Sequence, residues 1–473
     1  MRKEKDSFGV KELEDHAYYG VQTARAVENF PISSGRAHAT FIKATVHIKR
    51  AAAIVHKELH LLPAEKADAI VQAADEILGG KLWDQFVVDV FQAGAGTSHN
   101  MNTNEVLSNR ALELLKRNKG EYEYISPNDH VNMGQSTNDV IPTAIRIAVL
   151  FELRDFIHKL EKLEKALGQK SKEFDSIVKS GRTHLQDATP LRLGQEFSGY
   201  ATCIEKHRNR LLRANEDLHE IGLGGTAVGT GLNAHPAYRE KIAQELTKQT
   251  GFSLRPASNF FEAMQSMAPF VAVSGAIRNL ALDLIRIAND LRLLSSGPNT
   301  GLHEIHLPDL QPGSSIMPGK VNPVMAEMLN MVCFYVVGND TSIAMASQAG
   351  QLELNVMMPL VGYLLPSTVY VLGNALHVFA EKCVAGIEAN KARCEDYAER
   401  SLSIVTALNP YIGYLKAAEI AKESLKTGKR IRDLVIEKKL LPKEKLDEIL
   451  NLLAMTEPGI PGMTKEKIGR DAR

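Results

Sequence analysis

The sequence predicts a mainly α protein organised around a long central helix bundle, and three observations predict it. The first is the length of its helix-compatible runs. Residues 140–174, 258–294 and 351–390 carry few helix breakers. At about 1.5 Å per residue such runs would extend roughly 40–60 Å if unbroken, well beyond the average helix of about eleven or twelve residues. The second is the weakness of any strand pattern. The third is the breadth of the apolar faces: Ile277, Leu280, Leu282, Leu284, Ile285 and Ile287 cover more than one side of a helix. A helix that is apolar all round must be covered all round, which implies an oligomer whose bundle core is shared between subunits.

Taken in order, residues 1–35 are mixed and glycine-containing and read as an extended arm or short strands. Residues 39–78 turn helical, with Ile42, Val46, Ile48, Ala52 and Ile54 following the helical period. Pro63 splits this stretch in two, and Gly79-Gly80 closes the second half, as glycine does just past a helix end. Residues 102–117 form the next helix, ending near Gly120. Residues 140–174 follow, with Pro142 tolerated in the first turn. Residues 191–220 continue in spite of Gly194 and Gly199, and residues 258–294 are broken only by Pro269 and Gly275. Residues 321–349 and 351–390 come next, with Pro359 and Pro366 as kink positions. Long helices with short connections argue for a bundle. Beyond Ala392 charge rises and the helices shorten, punctuated by Gly413, Gly428, Pro442, Pro458 and Pro461. The expected division is 1–137, mixed and helical; 138–392, the long-helix bundle; and 393–473, a small helical domain.

Composition is that of a globular protein, 44% hydrophobic and 24% charged over 473 residues. Lys+Arg and Asp+Glu both number 56, so no basic excess points to nucleic acid or to an acidic membrane surface. Cys203, Cys333, Cys383 and Cys394 form no Cys-x-x-Cys pair, which argues against a zinc or redox motif. Residues 1–10 are polar and lack the apolar centre of a secretory signal. No uninterrupted apolar stretch is expected to reach membrane-spanning length. The expected setting is reducing and cytoplasmic, with neither nucleic acid nor membrane as partner.

Four polar, small-residue stretches interrupt the helices, each just before an expected helix start. They are Gly94-Ala-Gly-Thr97-Ser98-His99-Asn100-Met101-Asn102, Gly134-Gln-Ser136-Thr137-Asn138-Asp139, Gly181-Arg-Thr183-His184-Leu-Gln186-Asp187 and Gly313-Ser314-Ser315-Ile-Met-Pro-Gly319-Lys320-Val-Asn322-Pro323. Any one of them is explained by capping, since Ser, Thr, Asn and Asp are the preferred N-caps. Four together, each with several donors, read as converging helix ends that bind a small anion. Such a pocket is rich in neutral donors and poor in carboxylates, with Lys320 and His184 as its cations. The fourth stretch also sets two hydroxyls between glycines, on a loop free to move.

Other candidates are weaker. His303-Glu304-Ile305-His306 does not have the His-Glu-x-x-His zinc spacing, and no metal-ligand set emerges. The glycine-rich run from Gly222 to Gly231 follows no strand and lacks a Gly-Lys-Ser/Thr ending, so neither a dinucleotide fold nor a phosphate loop is expected. It reads as a tight turn between helices.

These motifs resemble those of a known family. Gly313 to Pro323 resembles the signature of the fumarase/aspartase superfamily. G-A-G-T-S-H-N-M-N-T-N-E, Q-S-T-N-D, G-R-T-H-L-Q-D-A and G-G-T-A-V-G-T-G-L-N, in that order, resemble further regions of its fumarase and aspartase branch. The likeness runs from about Tyr18 into the C-terminal segment. It implies a three-domain, mostly helical subunit, a homotetramer with a central twenty-helix core, and active sites that each draw on three subunits. It also implies elimination from a succinyl-type substrate with release of fumarate. Within the branch, Q-S-T-N at 135–138, G-L-H-E-I at 301–305, N-P-V at 322–324 and Ser126-Pro127-Asn128-Asp129 are more similar to the ammonia-lyases than to the class II hydratases. His99 and Met358 depart from the usual ammonia-lyase pattern.

By this resemblance the reaction is the reversible anti elimination of ammonia from L-aspartate, the alternative being hydration of fumarate to malate. Ser314 is the general base on a mobile loop, with His184 and Lys320 as further catalytic residues. Thr97, Ser136, Thr137 and Ser315 hold the β-carboxylate and the amino group. Asn138, Thr183, His184, Lys320 and Asn322 hold the α-carboxylate, and Glu327 orients His184. No cofactor and no metal is required, and the partner is a small dicarboxylate. The C3 proton is barely acidic, so preorganised donors must stabilise a doubly charged aci-carboxylate. A serine is a poor base unless its alkoxide is stabilised, here by Lys320, backbone N–H groups and loop closure. A non-catalytic helical scaffold is disfavoured by the joint presence of Ser314, Lys320, His184 and Asn322.

Overall fold

Helices dominate the computed structural model, which describes residues 1–463, so that residues 464–473 of the expected third segment lie outside the described residues. The chain begins with the short strands expected there, an antiparallel hairpin of β1 (Arg2–Asp6) and β2 (Gly9–Leu13). Helix α1 (Val21–Asn29) follows and is absent from the sequence reading. It has no capping side chain of its own. Instead Glu4 accepts from the Val21 N–H, and Glu105 accepts from those of Gly20, Gln22 and Thr23, so distant carboxylates cap it.

Helices α2 (Ala39–Glu58) and α3 (Ala64–Leu78) are the two halves separated at Pro63. Helix α4 (Thr97–Leu114) starts at Thr97 rather than at residue 102. Ala95 and Gly96 both take left-handed backbone angles, with φ of 61° and 88°, and turn the chain into the helix there. A Cβ on Gly96 would lie 3.0 Å from Ile141, so glycine serves both the turn and the close approach. Helix α5 (Thr137–Glu173) runs for 37 residues. A second hairpin, β3 (Val178–Thr183) and β4 (Gln186–Arg192), then precedes α6 (Leu193–Ala214). The next helices are α7 (Tyr238–Thr250) and the six-residue α8 (Phe260–Gln265), followed by the long α9 (Ala268–Leu294), α10 (Val324–Gln348) and α11 (Met358–Lys382). Shorter helices, among them Lys391–Arg400 and Tyr414–Thr427, complete the chain.

The chain divides into two compact units. Unit 1 comprises Met1–His158, His207–Leu282 and Val332–Asn374; unit 2 comprises Lys159–Lys206, Asp283–Met331 and Ala375–Arg473. In unit 1, α2, α3 and α4 bury Ile42, Val46, Ile70, Val106, Leu107 and Leu112 in one cluster. In unit 2, Ile404, Leu408, Ile420, Leu434, Leu446 and Ile449 form another. Each such side chain contributes about 1.5–3 kcal/mol on full burial.

By length and composition alone, the helices Ala268–Leu294 and Met358–Gly386 are long and apolar enough to cross a membrane, which corrects the expectation that no stretch reaches that length. The second has the surroundings of a core helix, whereas the apolar window of Ala268–Leu294 is 39% buried. Most of the apolar window of Met358–Gly386 is buried, at 61%. In α9, Ser274 donates to Asp340 at 2.6 Å and Arg278 pairs with it at 3.0 Å, which ties the helix to α10 within unit 1 by polar contacts.

Candidate active site

In unit 1 the candidate residues stand on a buried polar web. Helix α4 buries Asn100, Asn102, Asn104, Glu105, Ser108 and Asn109, and polar groups at such depth need partners. Asn102 bonds the backbone of Gln85 and Val87, and Ser108 donates to the Ile125 carbonyl. Asn100 Nδ2 lies 3.2 Å from Thr137 Oγ1. Lys49, buried on α2, donates to Asn132 at 2.8 Å and to Gln135 at 3.0 Å.

Ser136, Thr137 and Asn138 form the entry to α5, and Asp139 holds that entry in place. Its carboxylate accepts from the backbone N–H of Ser136 at 2.9 Å, of Gly224 at 3.0 Å and of Thr226 at 2.9 Å. The glycine-rich run at 222–231 is therefore more than a turn: it docks on Asp139, and its Ala227 carbonyl accepts from Asn138 Nδ2 at 2.8 Å. Burial drives the Asp139 carboxyl up to about 6 and the Lys49 ammonium down to about 7, each opposed by the other's charge. Thr97, the first residue of α4, is exposed. It opens on a cavity of about 770 Å³ lined also by Gln22, Arg25, Glu105 and Asn128. His99 and Met358 both belong to the interior of unit 1. His99 stacks on Phe41 at 4.5 Å and bonds Thr45 at 3.0 Å, and Met358 is fully buried at the start of α11.

In unit 2 the candidate residues stand on exposed turns. Thr183 pairs with Gln186 across the end of the β3–β4 hairpin, leaving His184 and Leu185 as a two-residue turn. Both are left-handed, with φ of 56° and 59°. Two such residues match the twist of a hairpin, a position usually given to Asn-Gly. For His and Leu the conformation is strained, and it persists only where the surroundings over-determine it. The restraint sits at the base of the turn. Arg182 contacts both carboxylate oxygens of fully buried Glu304, at 2.9 and 3.0 Å. Lys179 adds a contact to Glu304 at 3.3 Å and one to Glu196 at 2.9 Å.

The loop at 313–323 closes on itself. Gly313 N donates to the Lys320 carbonyl at 2.9 Å, and Asn322 Nδ2 donates to the Gly313 carbonyl at 2.5 Å. A Cβ on Gly313 would meet the Lys320 carbonyl at 2.4 Å, so only glycine allows this closure. Within the loop Ser314 Oγ accepts from Met317 N at 2.9 Å and from Ile316 N at 3.2 Å. Ser315 and Lys320 are exposed, and the Lys320 ammonium has no ion pair among the described residues. Lys320 and Asn322 line a cavity of about 240 Å³ with His303, His306 and Asp309. Glu327 lies in the first turn of α10 and, among the described residues of one chain, makes no ion pair with His184.

The structure thus gathers Ser136, Thr137 and Asn138 at one helix entry, Thr183 and His184 at one turn, and Ser314, Ser315, Lys320 and Asn322 in one loop. The sequence reading gave no supporting role to the residues behind them: Lys49, Asn100, Asp139, Arg182 and Glu304. Lys49 carried a readable signal, a lone charge on the apolar stripe of α2, and so did Asn100 with Asn104, two amides at helical spacing.

Comparison with known proteins identifies the family. A family model described as "Lyase" matches residues 9–338, and one described as "Fumarase C C-terminus" matches residues 404–457. The chain is 49% identical over 461 residues to the aspartate ammonia-lyase of Bacillus subtilis (strain 168), covering 98% of this chain and 97% of that one. The structure of a fumarate lyase:delta crystallin from Brucella melitensis bound to cobalt superposes with a TM-score of 0.94 at 48% identity, covering 97% of this chain and all of that one. A class II fumarase from Schistosoma mansoni superposes with a TM-score of 0.93 at 38% identity, covering 97% and 99%. With the family model spanning well over half of its length, the chain belongs to the fumarase/aspartase superfamily of lyases.

Proposed function

We propose that this protein is an aspartate ammonia-lyase, which eliminates ammonia from L-aspartate reversibly and in the anti sense to give fumarate. The observation that carries the reading is the environment of Ser314 Oγ, which two backbone N–H groups face at 2.9 and 3.2 Å. Donors preorganised around an oxygen stabilise its anion, which is what a serine needs to act as a base. The Ser314 alkoxide takes the C3 proton, and the electron pair passes into the β-carboxylate. It returns as the C2–C3 double bond while the C2–N pair leaves with ammonia, and Ser314 ends as the hydroxyl. This balance calls for no cofactor and no metal.

Thr97, Ser136, Thr137 and Ser315 hold the β-carboxylate and the amino group. Asn138, Thr183, His184, Lys320 and Asn322 hold the α-carboxylate and orient the substrate, with His184 and Lys320 nearest the chemistry. We assign completion of the site to further copies of the chain, in a homotetramer with a twenty-helix core whose sites each draw on three subunits. The exposed stripe of Met331, Phe334, Tyr335 and Met345 on α10 supports an apolar face covered by a second copy. Glu327 would then orient His184 of another subunit. The subunit is read as three domains, 1–137, 138–392 and 393–473, and the setting as cytoplasmic.

The likeness to aspartate ammonia-lyases supports ammonia as the leaving group. The test is to follow fumarate absorbance with and without ammonium. Loss of fumarate with formation of aspartate, dependent on ammonium, is the expected result. Conversion to malate without ammonium, and no aspartate with it, would establish a hydratase instead.

A further inference from the structure

The Thr137 hydroxyl is reached by a chain of amides whose hydrogen-bond direction is fixed from outside. Gln135 Nε2 donates to the backbone carbonyls of Val131 at 3.1 Å and Met133 at 3.2 Å, and Asn132 Nδ2 donates to that of Gln135 at 3.1 Å. A carbonyl oxygen only accepts, so both amides are pinned in one orientation. Their other ends, Gln135 Oε1 and Asn132 Oδ1, are the acceptors that face Lys49 at 3.0 and 2.8 Å. Asn132 Oδ1 also faces Asn100 at 3.2 Å and Asn104 at 3.3 Å. An oxygen at that point requires the nitrogen of Asn100 toward it. The same Nδ2 lies 3.2 Å from Thr137 Oγ1.

Asn100 therefore donates to Thr137, and the hydroxyl proton has to point elsewhere. Thr137 Oγ1 makes no other hydrogen bond among the described residues. Asn100 is 1% exposed, and its own Oδ1 has no donor among them. A buried acceptor left unpaired is costly, so this side chain is placed for its N–H groups at the expense of its oxygen.

We propose that Asn100 is a positioning residue that fills one lone pair of the Thr137 hydroxyl and turns its O–H away, so that Thr137 donates to a substrate carboxylate oxygen. A carboxylate only accepts, so it needs a donor turned toward it. The inference rests on Thr137 as a substrate-binding residue, and what it adds to that reading is the role of Asn100.

Succinate, a dicarboxylate with no leaving group, is the probe, with its dissociation constant measured on the full-length protein. Thr137→Val should weaken succinate about ten- to hundredfold, the usual size for a hydrogen bond to a charged group. Asn100→Ala should weaken it about fivefold when Thr137 is present, since the hydroxyl then turns freely, and should add nothing in the Thr137→Val background. Should Asn100→Ala not fold, Asn100→Leu, similar in shape, uncharged and unable to donate, carries the same comparison. A loss on changing Asn100 that persists undiminished without the Thr137 hydroxyl would overturn the proposal. Because succinate binding does not depend on the leaving group, a protein that released no ammonia from L-aspartate would contradict the proposed reaction while this cycle could still be read.

Discussion

In unit 1, Ser136, Thr137 and Asn138 rest on buried Asp139, which accepts from three backbone N–H groups, and on buried Asn100 and Lys49, which both donate to Asn132. In unit 2, His184 and Ser314 stand on turns that reach solvent, and what restrains the His184 turn is the buried Glu304 at its base. One half of the candidate site is built before substrate arrives. The other half is a strained tip and a loop that holds its own serine, presented for completion. Rigid donors suit a binding surface, whereas a base that must meet C3 and then release product suits a segment able to move.

The largest effect expected from breaking this contrast is on Ser314. Ser314→Ala should lower kcat by about 10²–10⁴ while leaving succinate affinity within a few fold, as the loss of a proton-transferring group does. Steady-state kinetics and inhibition by succinate check it, and an equal kcat would remove Ser314 as the base. Glu304→Gln comes next. It leaves Arg182 and Lys179 without their buried carboxylate, a change that costs about 3–5 kcal/mol where one partner of a buried pair is lost. The thermal transition should fall, and kcat should fall with it as the His184 turn relaxes.

Unit 1 should show its own dependence on pH. Burial pushes His99 down to about 3 and His56 down to about 4, from an ordinary value of 6.5. Between pH 6.5 and about 4 the unfolded chain takes up protons that the folded unit refuses. Stability from this source is therefore complete above 6.5 and is lost on acidification, by about tenfold in the folding constant per pH unit for each histidine. Asp139, pushed by burial up to about 6, and Glu105, up to about 7, act in the opposite sense over the same range, so the histidine contribution is read as the difference made by His99→Leu, which should remove one of the two histidine slopes. Trp83, the one tryptophan in the chain, lies in unit 1 and reports its unfolding by fluorescence. The smallest effect is that of Asp139→Asn, which faces an amide donor toward one of three backbone N–H groups and should cost about 1–3 kcal/mol. The KM for L-aspartate should rise more than kcat falls, since Ser136 and Thr137 shift while Ser314 does not.

The long helices were legible because apolar residues persist over many turns in 140–174 and 351–390. The start of α4 was not, because the left-handed angles of Ala95 and Gly96 leave no periodic trace. The β3–β4 hairpin was missed because Lys179-Ser-Gly-Arg-Thr183 alternates no apolar residues and its turn is His-Leu rather than Asn-Gly. The candidate residues lie in short local motifs and could be read directly. The partners of their supports could not, since Lys49 meets Asn132 across 83 residues and Arg182 meets Glu304 across 122.

On the proposed function, the two halves of the site are brought together by different copies of the chain. Co-expression of Asn138→Ala with Ser314→Ala, and assay of the purified mixed oligomer for ammonia release from L-aspartate, tests it most directly. Each variant alone should be nearly inactive, and the mixture should regain activity, because some sites then combine an intact Asn138 from one copy with an intact Ser314 from another. A mixed oligomer as inactive as its two parents would contradict the account.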